Sequence, residues 1–230
     1  MPALLVPSNA VANPAVVLTT HDLPPYSFRD ADGNIDGLAG RVVACAFSSM
    51  ARDFEIHIVP WKRAQIEVER GTADGFFAAS RNAQRDVYAV MSDIIADQNW
   101  TWYLLSGTEG DPNSDAFRTS RSVSSFLGAN MQGWLNENAY RTVDYPPQDN
   151  EALLDMLLKN RFDAILANDQ VMDDLVRSQE LSNSLRKVLL RNKPLGVYFS
   201  KTFLASEPGF LEKFNAEVPK CRDTEENKSS

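Results

Sequence analysis

Arg85, which follows Ser80 by five residues, is a side chain whose chemistry suits a charged ligand. A guanidinium can donate two parallel, charge-assisted hydrogen bonds to a carboxylate, and a lysine cannot reproduce this forked geometry. Arg81 is a weaker candidate for the same role. An ordinary surface arginine is the alternative interpretation of Arg85. Arg85 is therefore one candidate for binding an anion.

Two further features are typical of a binding site. Tyr26 and Trp61 lie at the ends of predicted strands, where a loop can present a flat apolar ring to a ligand, although Trp61 could also fill the core. Gly128-Ala129-Asn130 lies where a predicted strand passes into a helix. The free N–H groups and positive end of a helix suit an anionic or polar group, and a plain helix cap is the alternative.

The sequence lacks the common catalytic and metal-binding signatures. It contains no G-x-x-x-x-G-K-[ST], G-x-G-x-x-G, G-x-S-x-G or H-E-x-x-H motif, and its carboxylates are scattered. His21 follows a strand and could act as a base, but no neighbouring partner in the sequence supports it. With only two histidines, and two cysteines outside any C-x-x-C motif, a zinc site is not expected. We therefore predict a protein that is not an enzyme and needs no metal or cofactor.

Composition excludes two further classes. The 230 residues carry 23 Lys and Arg against 31 Asp and Glu, which gives a net charge of −8. A nucleic-acid-binding protein would carry a basic patch, and no basic cluster larger than short pairs such as Lys62-Arg63 occurs. No apolar run approaches the roughly 18 residues that span a bilayer.

Short apolar runs alternate with helical patterns along the chain, which is typical of α/β architecture. Composition shifts at residues 106–115 and 192–195 indicate two passages between structural units. Asp149 is a predicted helix N-cap. The last helix is predicted to stop at Pro219, and the acidic tail over residues 223–230 is predicted to be disordered.

Residues 1–13 are interpreted as the remnant of a signal peptide or as an unstructured extension. Residues 3–6 are apolar, and Ala10-Val11-Ala12 has the form of a signal-peptidase site, but a positive n-region is missing. The location predicted on this basis is the periplasm. Cys45 and Cys221 are either two buried thiols or, if the protein is exported, one disulfide.

Five stretches, in this order and spacing, resemble the bacterial extracellular solute-binding proteins of the polar-amino-acid type, family 3. The resemblance covers about residues 16–218. The stretches are Leu23-Pro24-Pro25-Tyr26-Ser27-Phe28; Pro60-Trp61 with Asp74-Gly75; Ala79-Ser80 with Arg85; Gly128-Ala129-Asn130; and Phe162-Asp163-Ala164-Ile165-Leu166-Ala167-Asn168.

The resemblance implies the type II periplasmic binding protein fold, with two α/β lobes joined by two crossings. Lobe 1 would comprise residues 14–103 and 195–222, and lobe 2 residues 104–194. It implies a monomer that delivers an amino acid or related carboxylate to an ABC-type permease. A sensor protein that signals to a membrane partner is the alternative, and a cyclohexadienyl-dehydratase-like enzyme on the same fold is a more remote one.

The resemblance also implies the roles of the site residues. Tyr26 and Trp61 would sandwich the ligand, and Arg85 with Ser80 would hold its carboxylate. Gly128, Ala129 and Asn130 would bind it from the second lobe, together with Asn168. The helices that carry Cys45 and Cys221 would belong to one lobe.

The sequence departs from this pattern at two places. Relatives that bind α-amino acids have an acidic residue for the ligand ammonium where this chain has Asn168, with Asp169 one residue later. The acidic pair common after the first-lobe glycine is also missing, since Leu38 and Ala39 follow Gly37. A neutral amide solvates an ammonium less strongly than a carboxylate does. The ligand class is therefore left open between an amino acid, another carboxylic acid, a peptide fragment and another small polar metabolite.

Overall fold

The computed structural model of the chain describes residues 13–228, and for 224–228 only the helical backbone is described. Most of the signal-peptide prediction therefore lies outside the described residues. The strands are β1 Val16–Thr20, β2 Phe28–Arg29, β3 Ile35–Asp36, β4 Phe54–Ile58, β5 Gly75–Ser80, β6 Ala89–Met91, β7 Asn99–Leu105, β8 Ser122–Ser124, β9 Arg141–Thr142, β10 Ala164–Asn168, β11 Leu185–Asn192 and β12 Leu195–Ser200. The helices are α1 Leu38–Ser49, α2 Trp61–Glu69, α3 Asp115–Ser120, α4 Asn130–Glu137, α5 Asn150–Leu158, α6 Asp169–Ser178, α7 Lys201–Ser206 and α8 Phe210–Lys228, with a short 3₁₀ helix at Arg85–Val87.

Two separate five-stranded sheets divide the described residues into the two expected lobes. The order in lobe 1 is β4-β1-β5-β12-β6, and the order in lobe 2 is β11-β7-β10-β8-β9. β1 runs parallel to β4 and β5, whereas β12 runs antiparallel to β5 and β6. In lobe 2, β7 runs antiparallel to β10 and β11. The chain thus forms two α/β units of similar construction.

The chain crosses between the sheets twice, and the first crossing differs from the prediction. The boundary expected between residues 103 and 104 falls inside β7, which belongs entirely to lobe 2. The first crossing therefore lies between Ala96 and Asn99, and the second lies between β11 and β12, where it was expected. The two crossing segments are hydrogen-bonded to each other, because the Leu195 amide donates to the Ala96 carbonyl (2.8 Å) and the Lys193 amide to the Gln98 carbonyl (3.0 Å).

Helices α1 and α8 cover one face of the lobe 1 sheet and pack their aromatic residues against it. Phe210 and Phe214 of α8 form tilted or edge-on ring contacts with Phe47 of α1 and edge-on contacts with Phe199 of β12. Gly37 begins this layer. Gly37 has a φ of 99°, and a Cβ at this position would lie only 2.6 Å from the Tyr26 backbone. A larger residue would therefore require the backbone to rearrange.

The C-terminal helix differs from the prediction in two respects. α8 continues through Pro219 instead of stopping there, and it reaches Lys228, so residues 223–228 of the expected disordered tail are helical. Proline removes one backbone hydrogen bond. Phe214, Val218 and Cys221 bury their side chains on either side of it, and this packing outweighs the loss.

A disulfide joins α1 to α8 within lobe 1. Cys45 and Cys221 are bonded, with Cα atoms 5.8 Å apart, which lies within the ordinary range for disulfides. The bridge spans 176 positions of sequence and lies entirely inside one lobe. Among residues 13–228, no helix combines the length and the apolar composition needed to cross a bilayer.

Candidate functional site

Arg85 lies between the lobes, at the start of the 3₁₀ helix that follows β5, and is only 4% exposed. Its Nε donates to Gln65 Oε1 (3.0 Å) and its Nη1 to the Ser80 carbonyl (3.0 Å). The guanidinium also lies 4.9 Å from the ring centre of Trp61 and 5.7 Å from that of Phe76. These contacts hold the guanidinium plane in one orientation and leave its Nη2 without a hydrogen bond to the described residues.

The charge of Arg85 is buried without a counter-ion. No carboxylate among the described residues comes within 4.0 Å of the guanidinium. The neighbouring Asp86 instead accepts a hydrogen bond from the Tyr198 hydroxyl (2.8 Å). Burial lowers the pKa of Arg85 to about 10, so the side chain remains charged at neutral pH. A buried, unpaired charge is strongly destabilising, and an anionic ligand would relieve it.

Trp61, the first residue of α2, contacts the opposite lobe. Its Nε1 donates to the Gly128 carbonyl (3.1 Å), and its ring centre lies 4.4 Å from that of His21. Gly128 has a φ of 80° and lies close to the indole. The ring that was expected to stack on a ligand therefore also forms part of the contact between the lobes.

Asn130 forms the second contact between the lobes. As the first residue of α4, it directs its Nδ2 to the Ser80 carbonyl (2.9 Å) and Ser80 Oγ (2.7 Å). Its Oδ1 accepts from Asn82 Nδ2 (2.7 Å). The side chain therefore joins the start of a lobe 2 helix to the end of β5 in lobe 1, and Ala129 precedes it as the N-cap.

Two cavities meet at Arg85. The inner cavity, about 20 Å³, lies deep between the lobes, and the outer cavity, about 560 Å³, opens beside it. Arg85, Trp100, Ala129 and Asn130 line both cavities. The outer cavity has the size of a ligand pocket, whereas the inner one has room for about one water molecule. The lobes are thus in contact around a small polar centre.

Four residues that line the inner cavity carry buried polar atoms with no hydrogen-bond partner among the described residues. They are His21, with both ring nitrogens; Gln98, with Oε1; Trp100, with Nε1; and Asn168, with Oδ1. Buried polar groups are nearly always hydrogen-bonded, and a group left unpaired costs about 1–3 kcal/mol. Five unpaired polar atoms thus converge on one cavity between the lobes.

The predicted site residues are mostly brought together. Six of them line the inner cavity: Trp61, Ser80, Arg85, Ala129, Asn130 and Asn168. Gly128 lines the outer cavity and accepts the Trp61 hydrogen bond. Tyr26 needs correction, because it lines neither cavity. Its side chain is fully buried in lobe 1, and its hydroxyl donates to the Asp97 carbonyl (2.9 Å).

Sequence reasoning missed three residues of this centre: Gln98, Trp100 and, as a site residue, His21. Gln98 and Trp100 belong to the first crossing and the start of β7, which were assigned to the interior of lobe 1. His21 was considered only as a base. The signal that could have found it is its position immediately after the buried strand β1, which places it at the strand end facing the other lobe.

His21 is buried as a neutral ring. Burial, with a smaller contribution from the nearby Arg85 charge, lowers the pKa of His21 to about 3. Between about pH 6.5 and 3 the unfolded chain therefore binds a proton that the folded chain does not. The contribution of neutral His21 to the free energy of unfolding is fully present above about pH 6.5 and is lost as the pH falls toward 3.

We expect His21→Gln to flatten this acid-side loss of stability. Between pH 7 and 4 the Tm of the parent should fall more steeply than the Tm of the variant. The corresponding loss in the free energy of unfolding should be larger for the parent by on the order of 1–3 kcal/mol. The exposed histidine variant His57→Gln is the matched control and should follow the parent. Parallel pH profiles for His21→Gln and the parent would contradict this interpretation.

Comparison with solved structures finds many proteins that share this fold, while no family model and no curated protein sequence matches the chain. A histidine kinase sensor domain with similarity to periplasmic binding proteins superposes with a TM-score of 0.79 at 16% identity, covering 95% of this chain and 94% of its own. An ancestral arginine-binding protein bound to arginine gives 0.75 at 15% identity, with 92% and 94% covered. The arginine-, lysine-, histidine-binding protein ArtJ of Geobacillus stearothermophilus gives 0.74 at 13% identity, with 92% and 90% covered.

These similarities extend over nearly the whole length of both chains in each pair, so they concern the complete two-lobed architecture. At such low identities they establish the fold, and the chemistry of the site has to be argued from the residues of this chain. The chain has the two-lobed, type II periplasmic binding protein fold that its resemblance to family 3 solute-binding proteins predicted.

Proposed function

We propose that the protein binds a small polar solute, an amino acid or a related carboxylate, between its lobes and delivers it to an ABC-type permease. The observation that carries this proposal is the buried guanidinium of Arg85, which has no carboxylate partner and lies where unpaired polar atoms converge. A ligand carboxylate would neutralise the charge and accept hydrogen bonds from Nη2. Enclosure between two lobes suits binding of a whole small molecule.

Closure of the lobes would couple binding to a change of shape. Trp61 and Asn130 hold the lobes together through hydrogen bonds to Gly128 and Ser80. A ligand that contacts both lobes stabilises this closed arrangement over an open one by its difference in affinity for the two. A membrane partner that recognises the closed form would then receive only the loaded protein, which we expect to be monomeric.

The outer cavity supports an anionic ligand. Five basic side chains line it, against two acidic ones: Lys62, Arg81, Arg85, Arg191 and Lys193 against Glu69 and Glu137. The chain as a whole carries a net charge of −8. A local excess of positive charge on an acidic protein raises the local concentration of anions and accelerates their entry.

A periplasmic location fits the disulfide between Cys45 and Cys221, since disulfides persist in oxidising compartments. The similarity to a histidine kinase sensor domain favours a second candidate function, in which the loaded protein signals to a membrane sensor. Loss of uptake of the labelled ligand in a deletion strain would indicate transport. Unchanged uptake with an altered transcriptional response would indicate sensing.

The experiment that tests binding itself is a thermal-shift screen against amino acids, organic acids and amines, followed by calorimetry on each hit. A ligand should raise the Tm in a concentration-dependent manner, because it binds only the folded chain. Chromatography should recover it unchanged after long incubation, whereas conversion to a product would indicate an enzyme. Failure of every solute to shift the Tm of the parent, or equal shifts in parent and Arg85→Ala, would contradict the proposal.

Trp61→Ala should weaken binding of such a hit by roughly tenfold, because it removes both a ring wall of the cleft and the hydrogen bond to Gly128. The salt dependence of the Kd should change little, since the substitution removes no charged group. Calorimetry at two salt concentrations measures both quantities. If Trp61→Ala lowers the Tm while the affinity is unchanged, Trp61 only fills the core.

A further inference from the structure

The inner cavity holds one cation and no anion. Its lining consists of apolar and aromatic side chains, neutral polar groups and Arg85, and it contains no Asp or Glu. A ligand carboxylate would balance the Arg85 charge. Any additional positive charge on the ligand would be buried there without compensation, which is unfavourable.

Four carboxylates adjoin this lining in sequence, and none of them lines the inner cavity: Asp22 is exposed, Asp86 accepts from the Tyr198 hydroxyl, Asp97 pairs with Arg222, and Asp169 is bound elsewhere. Asp169 follows the cavity residue Asn168, but its Oδ1 accepts from the Asn99 amide (3.0 Å) and the Gln170 amide (2.9 Å). Its Oδ2 accepts from Asn99 Nδ2 (2.7 Å). Both oxygens are thus occupied in fixing the start of β7 to the start of α6, and Asp169 lines neither cavity.

The unpaired atoms of the cavity need both hydrogen-bond donors and an acceptor. Asn168 Oδ1 and Gln98 Oε1 are buried acceptors that need donors, and Trp100 Nε1 is a buried donor that needs an acceptor. A ligand hydroxyl can serve as donor and acceptor at once without carrying a charge. The outer cavity is also rich in positive charge, so the approach to the site disfavours a cationic group.

From this juxtaposition we propose that the site selects carboxylates that carry a hydroxyl or another neutral donor, and that it excludes their α-amino counterparts, arginine included. This inference rests on the proposed function and names its ligand class. The inner cavity has room for only about one water molecule, so the lobes must part to admit the ligand; Arg85 then holds the carboxylate, and Asn168 accepts from the neutral donor. A substituent that is −OH in one ligand and −NH₃⁺ in another is thereby distinguished by charge alone.

Matched pairs of ligands test this directly. The probes are phenyllactate with phenylalanine and the α-hydroxy analogue of leucine with leucine, with arginine added as a single probe. Calorimetry on the parent should show binding of the hydroxy member of at least one pair, roughly 100-fold or more tighter than that of its amino counterpart, as expected for an uncompensated buried charge. Arginine should not bind.

The variant Asn168→Asp should reverse the preference, because it places a carboxylate where the neutral amide oxygen now lies. Binding of the amino member should gain at least about tenfold and that of the hydroxy member should fall. Asn183→Asp, which adds the same charge at an exposed position of lobe 2, is the matched control and should leave both affinities unchanged.

The outcomes separate this inference from the proposed function. An amino member or arginine that binds the parent as tightly as the hydroxy members, in an Arg85-dependent manner, would overturn the inference and leave the proposed function standing. If neither member of any pair binds, the inference is overturned. The broader thermal-shift screen then decides separately on the proposed function.

Discussion

Replacing Arg85 by alanine should weaken ligand binding at least about tenfold and up to about a thousandfold. Two charge-assisted hydrogen bonds to a carboxylate are lost, each contributing about 1.5–3 kcal/mol. Arg85→Lys should recover only part of this loss, because a lysine ammonium cannot reproduce the forked geometry and would not contact Gln65 and Ser80 in the same way. Calorimetry with the ligand found by the thermal-shift screen measures both variants.

The control for Arg85→Ala is the stability of the unliganded variant. Removing a buried, unpaired charge should leave the Tm unchanged or raise it, so a loss of affinity can be separated from a loss of folding. Arg81→Ala, at an exposed position of the same segment, should reduce affinity much less. If Arg85→Ala binds the ligand as tightly as the parent does, the assignment of Arg85 to the ligand carboxylate is wrong, whatever the fold.

Removing the disulfide should have the largest effect on stability. Replacing Cys45 and Cys221 by alanine releases a loop of 176 positions, for which the chain-entropy model gives about 4–5 kcal/mol. For a chain of this length we expect a fall in Tm of roughly 10 °C or more. Scanning calorimetry of the oxidised parent, the reduced parent and the double variant measures the change.

Reduction of the parent distinguishes the covalent bond from side-chain packing. The double variant loses both, whereas the reduced parent keeps the buried thiol of Cys221. Ligand affinity should be unchanged in either case, since neither cysteine lines a cavity. Equal Tm values for oxidised and reduced parent would contradict a stabilising role of the bridge.

Much of the fold could be predicted from local sequence because the patterns that specify single elements are local. The helix cap at Asp149, which accepts from the Ala152 amide (2.8 Å), was anticipated in this way. The sheet that a strand joins is decided by distant partners. β7 was assigned to the wrong lobe because its aromatic pattern fits either sheet, and only pairing with β10 and β11 places it.

The difference between local patterns and distant contacts also explains which site residues could be predicted. Arg85, Ser80 and Asn130 follow strand ends or begin helices, and such positions can be recognised locally. His21, Gln98 and Trp100 become site residues because the closed lobes bring the end of β1 and the first crossing to one point. Tyr26 has the residue type expected for a ligand-stacking ring, but the backbone turns its side chain into the interior of lobe 1, where it is fully buried.

The order of strands in lobe 1 has a consequence for synthesis of the chain. Lobe 2 is a continuous segment that is complete at the end of β11, whereas β12 lies between β5 and β6 in the sheet of lobe 1. Until β12 leaves the ribosome, β5 and β6 lack their shared neighbour, and α8 cannot yet cover the apolar face of the sheet. Domains fold as units once their residues are available. We therefore expect nascent chains to become protease-resistant first in lobe 2, and the N-terminal half of lobe 1 only after the final helix has emerged.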